Sequence, residues 1–467
     1  MKTRLSYLII LLTYFAVFSE AKVRFASVFT DNMVLQRNSK VSVWGWANPG
    51  EQVRLVGSWS PTDTIVVKSN NQSFWSAKIE TTDTGGPYTL TAIDNEKTVL
   101  SNILLGEVWV CSGQSNMEWS VNSGIANGEA EAAAANHPQI RFFHVPKIGA
   151  DTPQENTFAS WEVCTPETMR KTSAIAYFFG KELQENLDVP IGLIVSAWGG
   201  TPAEVWIPFD NVVKNPLLNE ASNVRKDYDW WPKIPGKCFN SMINPLLPYG
   251  IAGAIWYQGE SNTAIGQTAT YDLLMRTLID SWRKGFQKEI PFYFVQIAPY
   301  KYDEQEKAYL LREQQAKTAA YPNTGMVVIW DLVDDVKNIH PKNKQGVGKR
   351  LANWALAKNY GKEDIVCQSP EYQSMKIEKN KIRININHIP NGLKCTEKKI
   401  IGFTIAGEDK KFVPANAKIE GQTVVVSSQV VKKPVAVRFL FDNTSIGNLF
   451  SSEGMPVAPF RTDEFEE

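Results

Sequence analysis

The sequence is poor in the groups that most often announce a function. It holds four histidines and five cysteines in 467 residues. Cys111, Cys164, Cys238, Cys367 and Cys395 are odd in number and widely spaced. No Cys-x-x-Cys occurs among them, so neither a zinc site nor a thiol redox motif is indicated. Net charge is missing too. The 49 Lys and Arg balance 49 Asp and Glu, and no long run carries one sign. That excludes nucleic-acid or membrane-surface binding driven by charge. Beyond the N-terminus, no stretch reaches the roughly 18 uninterrupted apolar residues of a membrane-spanning helix. There is no Walker loop and no His-Glu-x-x-His, and Gly346-Val347-Gly348 stops short of a dinucleotide fingerprint.

What is present suits a large folded core: 43% apolar and 11% aromatic residues, with 15 tryptophans. Those tryptophans are core filler or faces for sugars. At the N-terminus Lys2 and Arg4 precede the apolar stretch Leu5–Phe18, and Ser19-Glu20-Ala21 offers small residues where a signal peptidase reads. Residues 1–21 therefore read as a secretory signal, and the protein as periplasmic or extracellular, with no integral membrane span once the signal is cleaved. An uncleaved anchor is the alternative.

Residues 22–102 carry short β-branched and aromatic runs, among them Val41–Trp46, Gln52–Trp59 and Phe74–Ile79, separated by Pro, Gly and Asn turns. That spacing predicts a small β-sandwich. Over 103–361 the pattern changes. Apparent strands at Leu104–Cys111, Ile140–Val145, Ile191–Ala197, Ile251–Tyr257, Phe292–Ile297 and Met326–Trp330 alternate with helical spacings such as Leu274, Leu278 and Trp282. Alternation of this kind predicts a mainly parallel sheet covered on both faces, an α/β fold. Residues 362–467 return to strand patterns and form a second β-rich module.

In a parallel α/β sheet, sites form beyond the carboxyl ends of the strands. Leu104–Cys111 is followed by Ser112-Gly113-Gln114-Ser115-Asn116. Ile191–Ala197 leads to Trp198-Gly199-Gly200-Thr201, and Ile251–Tyr257 to Gln258-Gly259-Glu260-Ser261-Asn262. Met326–Trp330 leads to Asp331, Asp334, Asp335 and His340. Serine, glycine pair, amide, and an acidic loop with a histidine are the parts of acyl transfer: nucleophile, oxyanion donors and base. No Gly-x-Ser-x-Gly surrounds Ser115, so the strained serine turn of α/β-hydrolases is not indicated.

These stretches, with Pro202-Ala203-Glu204-Val205-Trp206 and Ile339-His340-Pro341-Lys342-Asn343-Lys344, resemble the sialate O-acetylesterases of the SGNH hydrolase superfamily. The resemblance implies a flavodoxin-like three-layer α/β/α domain. It implies Ser115 as nucleophile and His340 as base. The oxyanion hole would comprise the amide of Ser115, that of Gly200 or Gly199, and the side chain of Gln258, with Asn262 as the substitute. Gln114, Glu260, Asn262 and Trp206 would contact substrate. The superfamily usually has an acid three residues before the histidine, but Lys337 stands there. Asp335, Asp334 or Asp331 would orient His340, or a backbone carbonyl would.

The resulting expectation is an exported serine esterase that needs no cofactor or metal and removes O-acetyl groups from 9-O-acetylated sialic acids. An acetylxylan or other polysaccharide esterase is the alternative, and a catalytically dead carbohydrate-binding protein the alternative of another class. A neutral histidine base would make activity rise through roughly pH 6–7.

Overall fold

The structure is a computed structural model and describes residues 22–224 and 230–466. The secretory signal expected over 1–21 lies outside the described residues. The central sheet contains β1 (Lys97–Gly113), β2 (His137–His144), β3 (Trp161–Cys164), β4 (Ile191–Ala197), β5 (Gly253–Tyr257), β6 (Phe292–Val295) and β7 (Thr324–Val327). Their order across the sheet is β3-β2-β4-β1-β5-β6-β7. The pairings are parallel except for the edge strand β3, which runs antiparallel to β2. No alternation in the sequence had marked β3.

Strand β1 changes character along its length. Lys97–Asn102 alternates between exposed and half-buried positions, whereas Ile103–Gly113 is buried throughout. Over Lys97–Leu105 it pairs with Gly85–Ile93, and at Leu104–Gly106 with Val34–Gln36, both among the N-terminal strands. The second half lies between β4 and β5, where both faces are covered and a continuous apolar run is required. The boundary expected between residues 102 and 103 thus falls inside one uninterrupted strand. Glu107 reinforces the join. Its buried carboxylate accepts from Gln36 Nε2 at 2.8 Å, Arg37 Nε at 2.7 Å and Tyr360 Oη at 2.9 Å.

Helices cover both faces. Paired residues on neighbouring strands share a face, and successive residues alternate. On one face Trp109 meets Phe179 of α2 (Ala174–Leu187) at 5.1 Å between ring centroids. Tyr293 on that face stacks on Trp354 of α5 (Lys344–Asn359) at 5.7 Å. On the other, Trp256 meets Trp282 of α3 (Tyr271–Phe286) at 6.0 Å. This is the α/β/α arrangement. The strands after residue 370 form two four-stranded antiparallel sheets and a short two-stranded one. They brace the loop and helix that follow β6. Arg461 pairs with Glu313 of α4 (Ala308–Thr318) at 2.7 Å. The Asn443 carbonyl accepts from the Tyr300 amide at 2.8 Å, and its side-chain amide donates to the Glu306 carbonyl at 2.8 Å.

The register brings three strand ends level. Ala197 of β4 and Tyr257 of β5 both pair with Gly113, the last residue of β1. Gly113 has φ 139°, and a Cβ there would lie 2.1 Å from the Tyr257 carbonyl oxygen. Gly113→Ala is expected to lower unfolding free energy by about 3 kcal/mol or more, since this backbone region is essentially glycine-only. Urea denaturation checks it, and an unchanged midpoint would contradict the register.

Candidate active site

The level ends of β4, β1 and β5 set the residues that follow them around one cleft, next to the strand where chain progression switches direction across the sheet. Leaving Gly113, the chain turns into the short helix α1 (Ser115–Glu118), with Gln114 at its N-cap position. Ser115 is the first helical residue, so its amide has no acceptor within the helix. Its hydroxyl lies 2.8 Å from His340 Nε2. The two residues are 225 positions apart in the chain. A hydroxyl against an imidazole at this distance can give up its proton as it attacks an ester.

The surroundings of His340 favour the neutral ring. Burial and the nearby Lys344 ammonium push its pKa down to about 4. Trp119 packs edge-on against the ring, with centroids 3.9 Å apart. Among the described residues no carboxylate hydrogen-bonds the ring to orient it. Asp335 Oδ1 instead accepts from the Lys337 amide at 2.8 Å, closing its own turn. Asp334 Oδ1 faces the Lys342 amide at 3.5 Å. Asp331 is held in a two-pronged pair with Arg350, at 2.7 and 2.6 Å. Among the described residues none of the three bonds the ring, which corrects the expectation for Asp334 and Asp335. With Lys337 at the usual acid position, the loop spends its carboxylates on its own amides and on α5.

The expected oxyanion donors separate. The Gly200 amide has no hydrogen-bond partner among the described residues, and Gly200 lines the cleft. The Gly199 amide is committed to Glu118 Oε2 at 2.7 Å. Gln258 is fully buried beneath the cleft. Its Nε2 donates to Asn262 Oδ1 at 2.7 Å and the Thr201 carbonyl at 3.2 Å, and its Oε1 accepts from Tyr271 Oη at 2.7 Å. Asn262 is buried as well, donating to Glu204 at 2.9 Å and accepting from the Ala203 amide at 3.0 Å. Trp206 is buried with its indole N–H on Thr201 Oγ1 at 3.0 Å. Gly199, Gln258, Asn262 and Trp206 therefore build the floor and do not present donors to a substrate. Side-chain direction after a strand end is what the sequence pattern left open.

Gln114 and Glu260 do line the cleft. Gln114 Oε1 accepts from the Gly259 and Ser261 amides, each at 3.3 Å, and fastens the β1 loop to the β5 loop. That leaves its Nε2 without a partner among the described residues. The cleft has a volume of about 660 Å³ and is walled further by Trp198, Trp230, Trp231, Tyr300 and Tyr302. Trp198 opens the Trp-Gly-Gly-Thr stretch, but the other four aromatics carried no motif. Only the general richness in tryptophan hinted at them.

Comparison with known proteins gives the following matches. Residues 105–357 match the family described as carbohydrate esterase, sialic acid-specific acetylesterase. The sialate O-acetylesterase of Homo sapiens is 28% identical over 432 residues, covering 84% of this chain and 82% of its own. That of Mus musculus is 29% identical over 410 residues, covering 74% and 75%. A carbohydrate acetylesterase from Xanthomonas citri is similar in structure with a TM-score of 0.87 at 33% identity, over 95% of this chain and 100% of that one.

Asp335→Asn keeps an oxygen for the Lys337 amide. Its kcat on p-nitrophenyl acetate is expected to stay within about threefold of wild type, against the roughly 10⁴-fold loss seen where an acid truly orients a catalytic histidine.

Proposed function

Since the chain belongs to the sialic acid-specific acetylesterase family of carbohydrate esterases, and so is a carboxylic ester hydrolase, we propose that it removes O-acetyl groups from sugars through an acetyl-serine on Ser115. The observation that carries this reading is the 2.8 Å contact of Ser115 Oγ with His340 Nε2 inside the cleft. His340 takes the hydroxyl proton as Ser115 Oγ attacks the acetyl carbonyl carbon. The oxyanion is met by the amides of Ser115 and Gly200 and by Gln114 Nε2. The C–O bond to the sugar breaks, and the imidazolium returns its proton to the leaving alkoxide. Water, deprotonated by His340, then attacks the acetyl-serine, releasing acetate and restoring the hydroxyl. Each oxyanion donor is worth about 3–4 kcal/mol in comparable sites. The reading includes export, on the secretory pattern of residues 1–21. No helix among the described residues is long and apolar enough to cross a membrane.

The family and the curated relatives support an O-acetylated sialic acid as substrate, and the reading takes the acetyl group to be at O9. One observation favours a second reading, a neutral acetylated polysaccharide. Glu118, Glu260 and Glu306 line the cleft, and the Lys147 that faces them is already paired with Glu118 at 2.6 Å. A substrate carboxylate gains little from that balance. Acetate release from 9-O-acetylated sialic acid and from acetylated xylan, measured side by side, decides between the two. Ser115→Ala is expected to abolish both; undiminished turnover would remove Ser115 from the mechanism.

The pH dependence has a definite sign. The base works as the neutral ring, and the folded pKa of His340 is pushed down to about 4. Activity should therefore be lost only as pH falls through about 4, well below the range of an ordinary histidine. A kcat/KM profile with its acid limb at pH 6–7 would contradict the burial and charge assigned to His340.

A further inference from the structure

Without a carboxylate on its far nitrogen, His340 has to be held by other means. Asn116 follows Ser115, and Ile339 precedes His340. Asn116 Nδ2 donates to the Ile339 carbonyl at 3.0 Å, bridging segments 223 residues apart. The same nitrogen donates to Glu260 Oε1 at 2.6 Å, and Asn116 Oδ1 accepts from Lys344 Nζ at 2.5 Å. Asn116 is fully buried, and both its hydrogens and its oxygen are used. Its orientation is forced, because an ammonium can only donate, whereas a carbonyl and a carboxylate can only accept. The His340 loop has a second tether, from its own amide to Asn338 Oδ1 at 3.0 Å.

We propose that Asn116, gripped between Lys344 of α5 and Glu260 of the β5 loop, is the positioning residue for His340, holding the histidine's backbone where an acid would otherwise hold its ring. The inference rests on the Ser115–His340 reading above. Lys344 has a second effect. Its ammonium lies 5.3 Å from the Trp119 ring, which itself packs on His340. The charged groups bearing on the imidazole are thus Lys344, which lowers its basicity, and behind Lys344 the carboxylates of Glu260 and Asp334. Burial brings Lys344 itself down to about 7 and pushes Glu260 up. Lys344 remains charged where His340 titrates. It disfavours the imidazolium and keeps the ring a free base in mildly acidic surroundings.

The test measures kcat, KM and pH profiles on p-nitrophenyl acetate for Ser115→Ala, Asn116→Ala, Asn116→Asp and Lys344→Met. Asn116→Asp keeps the acceptor for Lys344 but has no hydrogen for Ile339. Both Asn116 variants are expected to lose on the order of 10²-fold in kcat with KM nearly unchanged, as for a catalytic group displaced by about 1 Å. Lys344→Met removes a like charge beside His340, so the acid limb should move up by about one pH unit. Loss of packing alone would lower the amount of active enzyme and leave the limb in place. If Asn116→Ala fails to fold, Asn116→Asp and the Lys344→Met limb decide. Asn116 variants within threefold of wild type, or an unmoved limb, overturn the proposal while an inactive Ser115→Ala leaves the acetyl-serine reading standing. An active Ser115→Ala overturns both.

Discussion

Ala197 and Tyr257 are each paired with Gly113, and the rest of the site depends on that shared register. Parallel strands that end level release their loops at the same height. A slip of one residue in either neighbour would turn every side chain of that strand to the opposite face. It would also carry the Gly200 or Glu260 loop away from Ser115. The glycine at the common end lets the β5 backbone approach where any side chain would collide. Its strained φ is part of how the serine is presented above the sheet.

A rigid frame maintains this alignment. Glu107 ties the N-terminal segment, the long central strand and the end of α5 into one buried polar knot. A buried carboxylate is stable only when its lone pairs are met, and here three donors meet them. On the cleft side, Asn443 grips both Tyr300 and Glu306 through their backbones. The C-terminal strands thereby shape a wall of the cleft without contributing a group to the Ser115–His340 pair.

Much of this was legible in the sequence, and the limits were physical. Ser115 was legible because it follows a buried run that becomes the central strand of the sheet, and His340 because it lies in the loop after the last parallel strand, β7 at the sheet's edge. Their pairing then follows from where parallel strands end. The roles of Gln258, Asn262 and Trp206 were not legible. Each sits in a motif at the right height, but whether a side chain turns up to solvent or down into the core depends on partners such as Tyr271 and Glu204, from other elements. The acidic loop misled for a related reason: three aspartates near a histidine suggest an orienting acid, yet the turn consumes one and Arg350 another. Lys344 entered only as the last residue of the His340 stretch, with no role of its own. At the start of an amphipathic helix a lysine reads as solvated, and only the fold shows that it is buried under Asn116.

The outcome is a serine–histidine pair whose electrostatics come mainly from burial and from a cation behind it. Such a site keeps its base neutral in acid and relies on hydrogen bonds through the backbone for aim. The most direct measurement of the central claim is covalent labelling of the intact protein with a fluorophosphonate, mapped by tandem mass spectrometry. The account predicts a single modified position, the Ser115 hydroxyl, with labelling abolished in His340→Ala. A protein that resists the reagent, or carries it on another residue, would contradict it.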